Sequence, residues 1–278
     1  MQDRAASRFL AGMAEGEAPT DTPVLIVAAH PDDEVIGLGG QLPRLRALSL
    51  LHVTDGAPRD GQDAAAHGFR SLHDYAAARR EELAAALRTG GVQPVWTQTL
   101  DIADQEASLQ LAAIIPALAT ILRERQPAVV VTHPYEGGHP DHDATACAVH
   151  AACALLRRDG DPAPALVEMA SYHAGPQGIA IGQFLPADGC VPVMASLDAA
   201  ARERKHRMLA CFASQRQTLA QFPISAAEPL RAAPAYRFDA PPHPGRLFYE
   251  GFAWGMTGAR FRALAAQALA ALGLQGAL

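Results

Sequence analysis

The sequence predicts an α/β protein with a Rossmann-like, open and mostly parallel sheet that carries helices on both faces. Short apolar runs alternate along the chain with longer segments rich in Ala and Leu, which is the pattern of parallel strands joined by helical crossovers. Of the 278 residues, 49% are hydrophobic, enough to bury a sizeable core. We find no internal repeat. We therefore expect a single α/β/α layered domain over residues 1–278, with an N-terminal arm at 1–22 and a C-terminal elaboration at 173–278.

The apolar runs and the helical periods between them predict the order of the elements. Strands are expected at about 24–29, 49–53, 92–98, 128–132 and 166–172. Crossover helices are expected at Glu34–Leu48, Leu72–Arg88, Glu106–Arg125 and Asp143–Arg158. Thr54–Arg70 is rich in Gly and Asp and follows a strand, so it predicts a loop over the carboxyl edge of the sheet rather than a helix. Later segments predict a hairpin within Pro176–Ser196, a helix over Leu197–Gln221 and a final C-terminal helix.

Charge and composition exclude several classes of function. A formal net charge of −6 and scattered arginines provide no basic surface for a phosphate backbone, so we expect no nucleic-acid partner. Nowhere do about 18 apolar residues run together, and the first residues lack a signal-peptide core, so we expect a cytoplasmic protein without a membrane span. The four cysteines show no CxxC spacing, which predicts reduced thiols rather than disulfides.

The segment VLIVAAHPDDE, Val24–Glu34, ends an apolar strand in one histidine and three acids. Uncompensated carboxylates beside a core are costly, so a bound cation is one explanation. The other is helix capping, because acids in a first helical turn interact favourably with the helix dipole. This segment by itself leaves both explanations open.

A second cluster, THPYEGGHPDHDAT at Thr132–Thr145, also follows an apolar strand and precedes a predicted helix. His139 and His142 are three residues apart, so both imidazoles can project from one helical face. Open α/β sheets bind ligands at the carboxyl ends of their strands. Two imidazoles and a carboxylate around one point there would match the ligand pattern of catalytic zinc.

At these residues the sequence resembles the PIG-L/LmbE family of zinc-dependent N-deacetylases. The resemblance is carried by AHPDDE at Ala29–Glu34 and GHPDHDA at Gly138–Ala144, with TDG and RREELAAALRTGGV between them in the family's order. It implies that the zinc ligands are His30, Asp33 and His142. It further implies that Asp32 is the general base, that His139 stabilises the oxyanion or protonates the leaving amine, and that Asp141 orients an imidazole.

Three further residues are expected to contact the substrate. Arg79 aligns with a family arginine that contacts hydroxyl groups of the substrate, although an exposed helix arginine paired with Glu82 is the alternative. Tyr135 and Glu136 precede the glycine pair of the second motif, where they could line a pocket or pack within the loop. The aromatic run Phe248–Trp254 is expected to fill the core.

The resemblance implies removal of an N-acetyl group from an N-acetylglucosaminyl-type conjugate, with one Zn²⁺ per chain and Fe²⁺ as the other candidate metal. Two alternatives stay open: an amidase of the same mechanism acting on a bulkier non-sugar or natural-product amide, and a metal-containing sugar-binding protein without turnover. The expected partner is a small amino-sugar conjugate or related amide. The sequence leaves homo-oligomer formation undecided.

Overall fold

A seven-stranded sheet forms the centre of the protein in the computed structural model, which describes residues 2–16, 20–276 and 278. The strands of the described residues are β1 (Val24–Ala28), β2 (Leu48–Pro58), β3 (Trp96–Asp104), β4 (Val129–Thr132), β5 (Ala165–Met169), β6 (Tyr172–Gly175), β7 (Gly178–Ile181), β8 (Val193–Ser196) and β9 (Ala227–Ala232). The sheet order is β3-β2-β1-β4-β5-β9-β8, and β6 with β7 forms a separate hairpin. The five strands from β3 to β5 are parallel, whereas β9 runs antiparallel to β5 and β8.

Helices cover both faces of this sheet. They are α1 (Gln2–Glu15), α2 (Asp33–Leu38), α3 (Gln62–Ala66), α4 (Leu72–Gly90), α5 (Leu111–Arg125), α6 (Pro140–Asp159), α7 (Ala199–Leu209), α8 (Arg216–Leu219) and α9 (Gly258–Ala271). Successive strand residues point to opposite faces, so Leu25 and Val27 pack with α5, α6 and α9. Val24 and Ile26 pack on the other face with α1, α2, α4 and α7. The predicted Rossmann-like fold class is confirmed.

The strand order creates a switch point between β1 and β4. The chain passes from β1 to β2 on one side, and later returns to place β4 on the other side of β1. Loops that leave the carboxyl ends of two such strands diverge and leave a crevice, which is where open α/β sheets bind ligands. Both predicted His/Asp clusters follow these two strands.

The first crossover helix is shorter than predicted. We expected a helix over Glu34–Leu48, but α2 ends at Leu38 and is followed by a 3₁₀ turn at Leu42–Arg44. Gly39 and Gly40 weaken the helix. The carboxylate of Glu228 on β9 accepts the backbone N–H groups of Gly40 and Gln41, at 2.9 and 3.2 Å, which stabilises the early exit.

The expectation that Thr54–Arg70 is a loop without helix was wrong. Strand β2 continues to Pro58, and α3 begins after Gly61, whose φ of +70° is readily adopted by glycine. The run of three alanines that α3 contains favours helix, and Ala64 is buried against Tyr75 of α4. Helix α3 thus places polar side chains above the carboxyl edge of the sheet.

The segments at the two ends of the chain also differ from a simple arm and a long helix. Within the expected N-terminal arm, α1 buries Phe9, Leu10 and Met13 in the core, whereas residues 1 and 17–19 lie outside the described residues. The predicted helix Leu197–Gln221 is divided into α7 and α8. It breaks because Phe212 is buried and Glu82 of α4 accepts two hydrogen bonds from Ser214 in the intervening turn.

One segment of the described residues, Ala107–Arg125, is long and apolar enough by length and composition to cross a membrane. Half of it is buried within the protein. It contains α5, which packs against α6 and α9 as a crossover helix on the sheet. Its apolar composition is therefore explained by core packing.

Candidate metal centre and active site

The two predicted clusters meet at the switch point. His30 follows β1 directly, and Asp33 begins α2 in the next turn. His142 lies in the first turn of α6, whose N-cap residue is His139 and whose first residue is Pro140. Because β1 and β4 are adjacent and parallel, their exits bring the two motifs together.

Asp33 lies between the two histidines that were predicted to bind metal with it. Its Oδ2 atom is 3.3 Å from His30 Nδ1, and its Oδ1 atom is 3.1 Å from His142 Nε2. All three side chains are buried. Two imidazole nitrogens and a carboxylate are a donor set suited to a divalent cation such as zinc. The residues present therefore fit the implied metal.

His30 is held from its other side by carboxylates. Its Nε2 atom lies 3.1 Å from Asp104 Oδ1 and 3.3 Å from Asp141 Oδ2. Asp141 is fully buried, and it also accepts two backbone N–H groups from the turn after β3. A carboxylate behind a metal-binding imidazole fixes its ring orientation and tautomer. The imidazole that Asp141 contacts most closely is therefore that of His30.

His133 belongs to the same cluster, although it was not singled out from the sequence. Its ring stacks on His142 with centroids 3.9 Å apart, and its Nε2 atom is 3.3 Å from Asp33 Oδ2. Asp33, His133 and His142 are close enough together to form a group of candidate ligands, as are His30, His139 and His142. However, His133 Nε2 accepts the Ala29 N–H at 3.0 Å, which occupies its lone pair. The sequence feature that could have identified His133 is its position directly after β4, which matches the position of His30 after β1.

Asp32 is held by an arginine at the edge of the cavity. Arg79 Nη2 donates to Asp32 Oδ2 at 3.0 Å, and Arg79 Nη1 donates to the Gly56 carbonyl at 2.9 Å. Gly56 has a φ of +67°, and a Cβ atom there would lie 2.9 Å from the guanidinium carbon. Burial raises the pKa of Asp32 to about 6, although Arg79 opposes that shift. Arg79 is 3% exposed, which excludes the alternative of an exposed helix arginine.

His139 presents its Nε2 atom to the cavity. Its Nδ1 atom accepts the Asp141 backbone N–H at 3.2 Å, so in the neutral ring the proton is on Nε2. Burial, together with the nearby His30, lowers the pKa of His139 well below its ordinary value. Asp104, also missed from the sequence, lies 3.9 Å from Nε2. A neutral His139 can thus donate a hydrogen bond from Nε2.

The site opens on a cavity of about 510 Å³, and a first set of its lining residues comprises His30, Asp32, Asp33, Asp104, His139 and His142. A second set of lining residues is polar, comprising Asp60, Gln62, Asp63, Arg79, Gln215 and Thr218. A third set is apolar or aromatic, comprising Tyr172, Ile179, Phe222, Phe248, Phe252 and Trp254. The expectation that the aromatic run Phe248–Trp254 fills the core holds for Tyr249, which is fully buried, but three of its rings line the cavity instead.

Tyr135 and Glu136 do not line this cavity, although they were expected to contact the substrate. The Tyr135 hydroxyl donates to the Ala240 carbonyl at 2.8 Å, and its ring packs with Phe238 and Phe261. Glu136 faces Arg231. Their contacts are therefore those of packing and ion pairing within the protein.

Burial of Glu136 makes stability depend on pH. Burial raises its pKa from 4.5 to about 8, against the opposing charge of Arg231. The folded state therefore holds this proton where the unfolded state has lost it, so stability falls as pH rises from about 5 to about 8. We expect Glu136→Gln to flatten that fall, measured as urea midpoints across this range. Exposed Glu81→Gln is the matched control, and an unchanged pH profile for Glu136→Gln would contradict the prediction.

Together, the fold and the cluster define an α/β protein with a candidate metal centre at the switch point of its sheet. Residues 25–153 match the family described as PIG-L: GlcNAc-PI de-N-acetylase. This match covers just under half of the chain and confirms the resemblance predicted from the two motifs.

Proteins that this chain is similar to are named as deacetylases. The chain is 33% identical to diacetylchitobiose deacetylase of Thermococcus kodakarensis over 123 residues, 43% of this chain and 44% of that protein. It is 33% identical over 161 residues to 1D-myo-inositol 2-acetamido-2-deoxy-alpha-D-glucopyranoside deacetylase 2 of Saccharopolyspora erythraea, covering 50% and 58%. These matches span about half the length of the relatives. The crystal structure of A40926 pseudoaglycone deacetylase Dbv21 shares the fold, with a TM-score of 0.55 and 23% identity over 77% of this chain and 97% of that one.

Proposed function

We propose that this protein is a metal-dependent N-deacetylase that hydrolyses the acetamido group of an N-acetylglucosaminyl-type conjugate. The observation that carries the proposal is that His30, Asp33 and His142 lie together and line the same cavity as Asp32 and His139. The names of the two relatives, both deacetylases of acetamido sugars, support the substrate class. A protein that only binds sugar would not require an acid and a base beside the ligand set.

We assign His30, Asp33 and His142 as the metal ligands, with Zn²⁺ as the metal and Fe²⁺ as the competitor. A divalent cation held by this set lowers the pKa of water and polarises an amide carbonyl. We do not assign His133 as a ligand, because its Nε2 atom already accepts the Ala29 N–H. Its ring stacks on His142 and so supports that ligand. Zinc binds such sites more tightly than iron(II), whereas metal availability in the cell decides which is loaded.

Asp32 is assigned as the general base. Its carboxylate takes a proton from the attacking water, and the hydroxyl adds to the amide carbon. The hydrogen bond from Arg79 holds the Asp32 carboxylate in place, and Gly56 leaves the space that the guanidinium needs.

His139 is assigned as the hydrogen-bond donor to the oxyanion. Its Nε2–H can hydrogen-bond to the oxygen that gains charge as water adds. The proton that Asp32 took from water then passes to the amine nitrogen as the C–N bond breaks, which leaves acetate and a free amino sugar. The backbone N–H of Asp141 fixes the His139 tautomer that this role needs.

Metal content and acetate release test the assignment together. Protein purified without chelators is expected to contain about one zinc per chain and to release acetate from methyl N-acetyl-β-D-glucosaminide. His142→Ala is expected to lose both the metal and the activity, because a ligand is removed. His73→Ala, whose side chain is 86% exposed, is the matched control.

Two results would reject the assignment. Protein that binds no metal after zinc addition would remove the proposed centre. Metal-loaded protein that releases no acetate from a panel of N-acetylglucosaminides would reject the substrate class, and release of a larger acid would favour the bulkier-amide alternative. We retain a cytoplasmic location as part of the proposal, to be tested by cell fractionation.

A further inference from the structure

The cavity is lined by polar and by aromatic side chains. The polar wall is defined as Gln62, Asp63 and Arg79, which lie within the segment that matches the family, whereas the polar lining residues Gln215 and Thr218 lie outside it. The aromatic wall, defined as Tyr172, Phe222, Phe248, Phe252 and Trp254, lies wholly outside that segment. The family match therefore says nothing about what the aromatic wall binds.

The aromatic wall begins at the proposed reaction centre. The Tyr172 ring lies edge-on to His142 at 5.4 Å, and the Trp254 ring lies 4.7 Å from that of His139. Phe252 in turn stacks on Trp254, with the ring centroids 4.4 Å apart and 10° between the ring planes. A group attached to a substrate whose amide lies at His139 could therefore contact this wall.

Solvent contact of these rings makes the wall a binding surface for apolar groups. Phe252 is 44% exposed, while the other four rings of the wall are half-buried. Phenylalanine rings offer no hydrogen bonds to the hydroxyl groups of a sugar, whereas apolar area that leaves water gains free energy in proportion to its size. Aromatic rings gain further from offset or edge-to-face contact with another ring.

Resting on the proposed function, we infer that the substrate is an amino-sugar amide that carries an apolar aryl or alkyl group, and that this group binds the aromatic wall. The polar wall, with Arg79 and Asp63, is then left to the sugar hydroxyls. The apolar group has two potential attachment points, the anomeric oxygen or the acyl carbon. Either attachment point would place an apolar group against Phe252.

A set of three glycosides tests the inference and separates the two attachment points. The reference is methyl N-acetyl-β-D-glucosaminide. Phenyl N-acetyl-β-D-glucosaminide carries the ring at the anomeric position, and methyl N-benzoyl-β-D-glucosaminide carries it on the acyl group. Affinity is measured by calorimetry in the Asp32→Asn protein, so that turnover does not consume the ligand, and acid release is measured separately in the unmodified protein.

We expect one of the two aryl compounds to bind about tenfold or more tightly than the reference, since burying a phenyl ring removes apolar area from water. Phe252→Ser in the same background is expected to remove most of that gain, because the ring is partly exposed and its loss should not disturb the core. Val95→Ser, at a residue 68% exposed and outside the cavity, is the matched control and should keep the gain.

Two outcomes would overturn the inference. One is affinity of both aryl compounds within about twofold of the reference, a difference far below what burial of a ring provides. The other is a gain that persists unchanged in Phe252→Ser. Failure of the proposed function is distinguishable, because it appears as the absence of released acid from all three compounds whatever their affinities.

Discussion

Replacing Asp32 with asparagine is expected to reduce acetate release by roughly 100- to 10,000-fold, the range that a general base contributes, while the metal content stays unchanged. Asparagine is nearly isosteric with aspartate. It keeps an oxygen that can accept the hydrogen bond from Arg79 Nη2, which is 3.0 Å long in the unmodified protein. It has no basic site to take a proton from water. The loss should therefore appear in kcat.

The measurements are acetate release and elemental analysis on the same samples. Asp188→Asn, at an exposed position outside the cavity, is the matched control for the same chemical change. Activity of Asp32→Asn close to that of the unmodified protein would remove Asp32 from the role of base. Loss of metal from Asp32→Asn, with metal retained in Asp33→Asn, would instead exchange the two aspartates.

Replacing Arg231 with methionine is expected to lower the free energy of unfolding by about 3–5 kcal/mol, the cost of breaking a buried ion pair from one side. Arg231 is 1% exposed. Its Nε atom donates to Glu168 at 2.7 Å and its Nη2 atom to Glu136 at 3.3 Å. Methionine fills part of the volume but leaves both carboxylates buried without a cation.

The free energy of unfolding that Arg231→Met loses should be larger at about pH 8 than at about pH 5. Burial raises the pKa of Glu168 to about 7 and that of Glu136 to about 8, and Arg231 lowers both. Without the guanidinium these carboxyls hold their protons to still higher pH, so ionisation in the folded state costs more as pH rises. Urea unfolding at the two pH values measures the difference.

Arg237→Met is the matched control, because Arg237 pairs with Asp239 at the surface, where an ion pair contributes little. Adding Glu168→Gln to Arg231→Met removes one of the unpaired charges and should restore part of the stability. Equal unfolding midpoints for Arg231→Met and Arg237→Met would show that the buried cluster does not stabilise the fold as described.

Residues that lie close in sequence could be predicted from it. The strand cores and the two motifs were visible because an apolar run sets each strand and the polar cluster follows within a few residues. Knowledge that parallel strands end at one edge of the sheet then sufficed to bring His30 and His142 together. The extent of α2 and the helix α3 were not predicted, because Glu228 and Tyr75, which stabilise them, come from distant elements.

Contacts between distant segments were decided by the tertiary structure alone. The sequence by itself determined the fold class and the two His/Asp motifs, since both depend on local periodicity and short spacing. Only the fold placed Asp104 of β3 beside His30, turned Glu136 inward to Arg231, and brought Phe252 and Trp254 to the cavity. Such pairings depend on which surfaces pack together, and that arrangement is set by burial over the whole chain rather than by neighbours in sequence.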